Sequence, residues 1–425
     1  MDTIEGLIQY LNQSHSVYHA AAGVCKMLED AGYQRLYEHE DWQFTVGGKY
    51  YISRSGSSVI AFRIPTASPN GFLISADHTD RPGWRVKQNL ELGGAYTRVA
   101  VERYGSLIIS PWLDRPLSVA GRVVVDTPDG VQSKLIDIDR DLLLIPNVAI
   151  YMNRQINDGY AYNLATDSPP LMGSAASVGK LWELLERAAG GKILGHDLYL
   201  YVRQKAGVWG AESEYLSGQG LDDLECVWGT TQGFLAAADS DSIPVLCHFD
   251  SEEVGSCSAQ GAGSTMLDEM LTRICNAWSL NKSRMLGQSF LVSADNAHAL
   301  HPNHPEYSDP ANAPVLGEGV VLKHSASLSY CTDGASAAIF RKLCERAGVP
   351  VQTFHNRADL RGGSTLGRIS LSQVSVPTAD IGLPQLAMHS CYETAAVADV
   401  DYLCRAMREY FQTSLRIEGE HFLLK

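Results

Sequence analysis

Basic residues are in short supply in this chain. Lysine and arginine number 34 against 48 aspartates and glutamates, which leaves a formal net charge of −14 and a pI near 5.4. Such a balance argues against nucleic acid or an anionic membrane surface as partner. No stretch approaches the roughly 20 consecutive apolar residues needed to cross a bilayer, so no membrane span is expected. The opening residues, Met1 to His15, lack a basic segment followed by an apolar run, so no secretory leader is expected. Paired cysteines are also missing. The nine cysteines are scattered, odd in number and form no CxxC or CxxxC pair, which fits reduced thiols and a cytoplasmic location better than a disulfide framework. Cysteine-type zinc sites are thereby disfavoured, and any metal must be held by His, Asp and Glu. Internal repeats and low-complexity tracts are absent.

What remains is an ordinary globular composition, 45% hydrophobic and 19% charged. At 425 residues the chain exceeds the size at which one core usually keeps growing, so two domains are expected. Helical periodicity appears at Ile4, Leu7, Ile8 and Leu11 and again over residues 19–31, followed by short strand-like runs at 50–53, 58–63 and 72–76. From about Asn89 to Ala149 strand-like runs (107–109, 121–125, 142–145) and turns dominate. A helical segment over 175–189 follows, and residues 217–220 read as a loop. Beyond it helices (263–280, 334–347, 394–411) alternate with apolar strands (243–249, 288–293, 374–381). The pattern predicts a discontinuous α/β domain, residues 1–90 and 211–425, interrupted by a β-rich insertion over 91–210.

Five polar clusters punctuate the α/β part, each near the end of a strand-like run, where open α/β sheets usually carry their sites. His78-Thr-Asp80 lets imidazole bind a metal while the carboxylate holds the other ring N–H. Asp222-Asp223 on its own reads better as a helix N-terminus. Glu252-Glu253 follows an apolar strand and precedes Val-Gly-Ser, so the pair is not a helix face; one carboxylate can bind metal while the other moves protons. Asp295 stands with His298, His301 and His304, of which His298 and His301 read equally well as structural. His389 follows Gly382-Leu-Pro. As a set, His78, Asp222, Glu252, Glu253, Asp295 and His389 offer enough nitrogen and carboxylate ligands for two divalent ions about 3.5–4 Å apart. Such ligands suit zinc, manganese and cobalt alike.

With those motifs in place the sequence resembles the M18 metallopeptidase family, the aspartyl aminopeptidases. The resemblance runs through Gly47-Gly-Lys-Tyr-Tyr51, residues 57–63, His78-Thr-Asp80, Val101-Glu-Arg-Tyr-Gly105 and Trp112-Leu-Asp-Arg-Pro-Leu117. It continues through Phe249-Asp-Ser-Glu-Glu-Val-Gly-Ser256, Ser293-Ala-Asp-Asn-Ala-His298, Gly362-Gly-Ser-Thr-Leu-Gly367 and Pro384-Gln-Leu-Ala-Met-His-Ser390. It implies a three-layer αβα catalytic domain with an inserted dimerisation domain, and a homododecamer built of dimers. It also implies binuclear hydrolysis of the N-terminal residue of peptides, with Asp or Glu preferred. His78 and Asp295 are then expected on one ion, Glu253 and His389 on the other, and Asp222 between them. Glu252 is expected as general base, with Asp80 orienting His78. Lys323, Tyr151 and His298 are the expected substrate contacts.

Several positions depart from the family pattern. Gly220 stands where the family has Arg, and Ala149-Ile-Tyr151-Met152 where it has Ala-Ile-His-Leu. The residues 325–330 and His389-Ser-Cys-Tyr392-Glu393 lack the family's arginines, the natural bidentate partners of carboxylates. An aminopeptidase preferring neutral residues is therefore a second reading. A catalytically silent assembly protein of the same fold is a third.

Overall fold

The computed structural model describes residues 3–360, 362–363 and 365–425. Its backbone is a nine-stranded mixed sheet in the order 34–35, 49–54, 58–63, 243–249, 72–78, 290–294, 378–382, 320–323, 351–354. The four middle strands, from Ile243–Phe249 to Thr378–Gly382, run parallel to one another. They are buried on both faces, which is why they read as continuous apolar runs rather than alternating ones.

Alternate residues of these strands and of the neighbouring Ser58–Arg63 feed two cores. Leu73, Val59, Ala61 and Leu246 face one side, where the helices Thr3–Leu11, Val17–Asp30, Leu221–Ala236, Gly334–Ala347 and Val397–Gln412 pack. Phe72, Ile74, Ile60, Phe62, Val245 and Cys247 face the other, covered by Met266–Ala277, Lys282–Leu286 and Leu366–Gln373. Helices on both faces of a largely parallel sheet give the three-layer αβα architecture.

A second, six-stranded antiparallel sheet is inserted after the strand that ends at His78. Its order is 130–137, 117–127, 193–202, 83–92, 96–104, 171–174, and with the helix Lys180–Ala189 it encloses a core of its own around Trp84, Trp112, Val119 and Leu198. The sheet begins at Gly83, so a boundary drawn between residues 90 and 91 falls inside its first strand. That strand escapes detection because residues 87–89 are all exposed and break the apolar alternation. The stretch read as a loop at 217–220 differs too. Tyr215–Gly218 is a strand of a small five-stranded sheet, paired with Glu393–Ala396. Residues 107–109, expected as a strand, lie outside any sheet, and 142–145 makes only isolated bridges.

Candidate metal centre

The parallel strands end on one edge of the large sheet, and the ends carry the chemistry. His78 is the last residue of Phe72–His78; Asp295 directly follows Phe290–Ala294; Glu252 and Glu253 form a 3₁₀ turn just beyond Ile243–Phe249. Asp222 opens the helix Leu221–Ala236, with φ −80° and ψ 107° rather than helical angles. His389 comes from the turn between Pro384–Leu386 and Glu393–Ala396, and its φ of 68° puts a non-glycine residue in the left-handed region. That conformation is held from both sides. The His389 N–H donates to Glu393 Oε1 at 2.7 Å, and its carbonyl accepts from Ile108 N at 3.0 Å.

These residues converge. One group of mutually close ligand atoms, all within 4.8 Å, comprises His78, Asp222, Asp223 and Asp295. A second joins Asp222, Glu253 and His389, and a third joins His78, Glu252 and Glu253. Asp222 is common to the first two and divides its oxygens between them. His78 Nε2 lies 3.4 Å from Oδ1, and His389 Nε2 lies 3.4 Å from Oδ2. His389 Nε2 is also 3.5 Å from Glu253 Oε2. The opposite nitrogen of each ring is fixed by oxygen acceptors: His78 Nδ1 by the Asp80 carbonyl at 3.1 Å, with the Asp80 carboxylate at 3.5 Å, and His389 Nδ1 by the Ser106 carbonyl at 2.6 Å. Nε2 of both rings is thus the free ligand nitrogen.

Burial dominates the electrostatics. It pushes Glu252 up to about 8, with repulsion from Asp295, Asp80 and Asp222 adding to it and His78 opposing. Burial likewise raises Glu253, Asp223 and Asp295, with neighbouring carboxylates adding in each case. Asp222 goes the other way: burial is outweighed by the adjacent imidazoles of His389 and His78, which hold it below the ordinary carboxylate range. The two imidazoles are raised in turn, against the pull of burial, by Asp222, with Asp80 adding at His78.

The five acidic side chains Asp222, Asp223, Glu252, Glu253 and Asp295 outnumber the two imidazoles and one lysine that face them, so the cluster is short of positive charge. Asp222 Oδ1, Asp223 Oδ1 and Glu253 Oε1 are buried without a hydrogen-bond partner among the described residues. Oxygen and imidazole ligands with unused lone pairs, converging in overlapping groups, fit a divalent cation.

The remaining expected residues fall in different places. Asp80 is buried beside His78 and accepts the backbone N–H of Glu252 (3.0 Å, Oδ1) and of Glu253 (3.1 Å, Oδ2). Lys323 is 1% exposed, and its ammonium donates to the Asp295 carbonyl at 2.5 Å and the Asn296 carbonyl at 3.3 Å, with the Asp295 carboxylate at 3.8 Å. His298 lines a neighbouring cavity of about 360 Å³ with His301, Phe354, His355 and Met388. His304 pairs instead with Glu306. Tyr151 lies in the inserted part, 80% exposed, with Arg154 over its ring.

Further residues, to which the sequence assigned no role, also shape the site. Asp223 accepts the His78 N–H. Glu393, buried and pushed up to about 8 by burial and Asp222, accepts from the backbone N–H groups of both Asp222 and His389. Asp77 and His248 form a buried pair completed by Thr230 and Thr231 of the helix that starts at Asp222. Tyr104, from the inserted sheet, donates to Asp80 Oδ2 at 2.7 Å. Asp223, Glu393 and Tyr104 lie inside motifs already noted and Asp77 adjoins His78, so proximity to a ligand is a usable signal for them; the pairing of Asp77 with His248 gives none.

The family model for aminopeptidase I zinc metalloproteases (M18) matches residues 10–411. A probable M18 family aminopeptidase 2 of Clostridium novyi (strain NT) is 38% identical over 421 residues, covering 95% of this chain and 97% of that protein. Among solved structures, a chain of the Ape4 and Nbr1 complex superposes with a TM-score of 0.92 at 34% identity, covering 96% of this chain and 85% of that one. A chain of the S. cerevisiae mApe1 dodecamer shares the fold, with a TM-score of 0.84 at 24% identity and coverage of 97% and 96%.

Proposed function

The chain belongs to the M18 family of metallo-aminopeptidases, and from that premise we propose that it removes the N-terminal residue of peptides with two divalent ions and Glu252 as general base. The observation that carries the proposal is the division of Asp222, one oxygen toward His78 and the other toward His389. On this reading His78 and Asp295 would hold one ion, Glu253 and His389 the other, and Asp222 would serve both. The ions supply Lewis acidity, making a water more acidic and a carbonyl more electrophilic. Glu252 takes the proton of the attacking water and returns it to the leaving amine. Asp80 keeps His78 in the tautomer that presents Nε2 and, through the amides of Glu252 and Glu253, keeps base and ligand in register. Glu252→Gln is expected to cost at least about 100-fold in kcat with the metal content per chain unchanged. Retained turnover would remove Glu252 from the role.

For the substrate we propose an N-terminal Asp or Glu, with Lys323 as the cation nearest the metal ligands. A second reading, preference for neutral residues, draws on the ammonium being engaged by two carbonyls, which leaves one of its three N–H donors. Rates on Asp-, Glu- and Leu-aminoacyl chromogenic substrates, with zinc, manganese or cobalt added, separate the two readings and rank the metals. A dodecamer is proposed for the assembly, supported by the exposed Ile150, Tyr151 and Met152 on the inserted part and by the mApe1 dodecamer, whose chain shares this fold. In it Tyr151 would meet a neighbouring subunit's site as a neutral hydrogen-bond donor, and light scattering gives the mass that tests the assembly. The location proposed is the cytoplasm; no helix among the described residues is long and apolar enough to cross a membrane.

A further inference from the structure

Three consecutive residues where the inserted sheet returns toward the large one each touch a different part of the metal centre. Tyr104 donates its hydroxyl to Asp80 Oδ2 at 2.7 Å. Gly105, at φ 68°, lies so near Glu253 that a Cβ built on it would stand 3.2 Å from the Glu253 Cβ and 3.4 Å from its carbonyl oxygen. The Ser106 carbonyl takes the Nδ1 side of His389 at 2.6 Å. The next turn continues the clasp, with Ile108 N donating to the His389 carbonyl.

We infer that Tyr104-Gly105-Ser106 is a positioning element of the catalytic centre, supplied by the inserted sheet, in which the Tyr104 hydroxyl fixes Asp80 and thereby the Glu252–Glu253 turn. Asp80 is the hinge of the argument. Its Oδ2 receives both the Tyr104 hydroxyl and the Glu253 N–H, while its Oδ1 receives the Glu252 N–H and faces His78 Nδ1. Losing the phenol leaves Asp80 with fewer donors and frees its carboxylate to rotate, which moves the base and one ligand together. Burial, with the Asp80 charge adding, raises the phenol further above its ordinary range, so it stays a donor. Tyr104 meets Tyr199 edge to face at 5.7 Å, a contact phenylalanine preserves, so the hydroxyl can be removed without emptying the space.

The inference rests on Glu252 acting as general base, and the test keeps the two apart. Wild type, Glu252→Gln, Tyr104→Phe and Gly105→Ala are compared as full chains loaded with zinc, reading kcat, KM, bound metal and the thermal midpoint. Tyr104→Phe is expected to lower kcat about tenfold or more, with KM within twofold and metal content and midpoint unchanged. Gly105→Ala, crowding Glu253, is expected to lower metal content. Unchanged kcat in Tyr104→Phe, or a loss that follows metal content and midpoint in parallel, overturns the positioning role while leaving Glu252 untouched. Should Tyr104→Phe not fold, full metal content in Gly105→Ala overturns the element instead. An active Glu252→Gln defeats the underlying reading itself.

Discussion

Asp222 and Glu252 sit in one buried acidic pocket yet are driven in opposite directions, Asp222 below the ordinary range by its two imidazoles and Glu252 up to about 8 by burial and like charge. Glu252, raised to about 8, therefore keeps its proton at pH 7, and a cation entering the pocket displaces it; Glu253 and Asp223 are raised in the same direction. Metal loading at pH 7 should release protons, and apparent affinity should rise as the pH goes from 6 to 8. Titration calorimetry in buffers of differing ionisation heat measures the release as a slope; a flat line would mean the carboxylates are already ionised without metal. Among the residues proposed as ligands, His78, Glu253 and Asp295 stand out in the sequence because each follows a strand-like run, whereas Asp222 on its own reads as a helix start and gains its meaning only beside the others. The contacts that hold them do not stand out. Tyr104 is 24 residues from Asp80 and His248 is 171 from Asp77, and such partners are joined only by the folded sheets.

The helix Leu221–Ala236 shows at the scale of elements why some of the fold was hidden. Its interior holds Thr230, Thr231, Gly229 and Gly233, poor helix formers that blur any periodic signal, whereas the strands at 58–63 and 243–249 were plain from apolar content alone. The glycines are there for contact with the helix Val397–Gln412. A Cβ at Gly229 would stand 2.5 Å from Leu403 Cδ2, the movable end of a side chain. One at Gly233 would stand 2.5 Å from Met407 Cβ and 2.8 Å from the Arg408 backbone nitrogen, so the helices themselves must part. Gly233→Ala gains about 1 kcal/mol of helix propensity and loses about 1–3 kcal/mol by overpacking. Net destabilisation in urea melts is expected, larger than for Gly229→Ala. Because Asp222 begins this helix, weaker metal binding should accompany it. Equal stability of the two variants would mean the helix pair yields more easily than its backbone contact implies.

At the scale of the molecule, the two sheets meet through a joint that responds to acid. His15 Nδ1 lies 2.6 Å from Asp137 Oδ2 and its ring stacks at 3.9 Å on Tyr201, whose hydroxyl donates to Asp137 Oδ1 at 2.7 Å. Arg122 reaches back from the inserted sheet to the Ser55 carbonyl and lies 4.4 Å over Tyr18. Beside this contact His19 is held neutral, lowered to about 4 chiefly by burial, with Asp137 opposing and His15 adding to the fall. As the pH drops below about 6.5 the unfolded chain takes up a proton that folded His19 refuses, so stability falls progressively down to about 4. Asp137 is held below its ordinary range, against burial, by hydrogen bonds from His15 and Tyr201. Its contribution is therefore complete above about 3.8 and is lost only on further acidification. Buried acids such as Asp399, raised to about 7 by burial, act in the opposite sense over the same range, so a single melt cannot isolate His19. The difference between wild type and His19→Gln can, because glutamine keeps a partner for the Ser16 hydroxyl without titrating. Between pH 7 and 4.5 the wild type should lose on the order of 1–3 kcal/mol relative to the variant, read from urea midpoints. Parallel pH profiles would show that His19 is as free to protonate in the folded protein as in the unfolded chain.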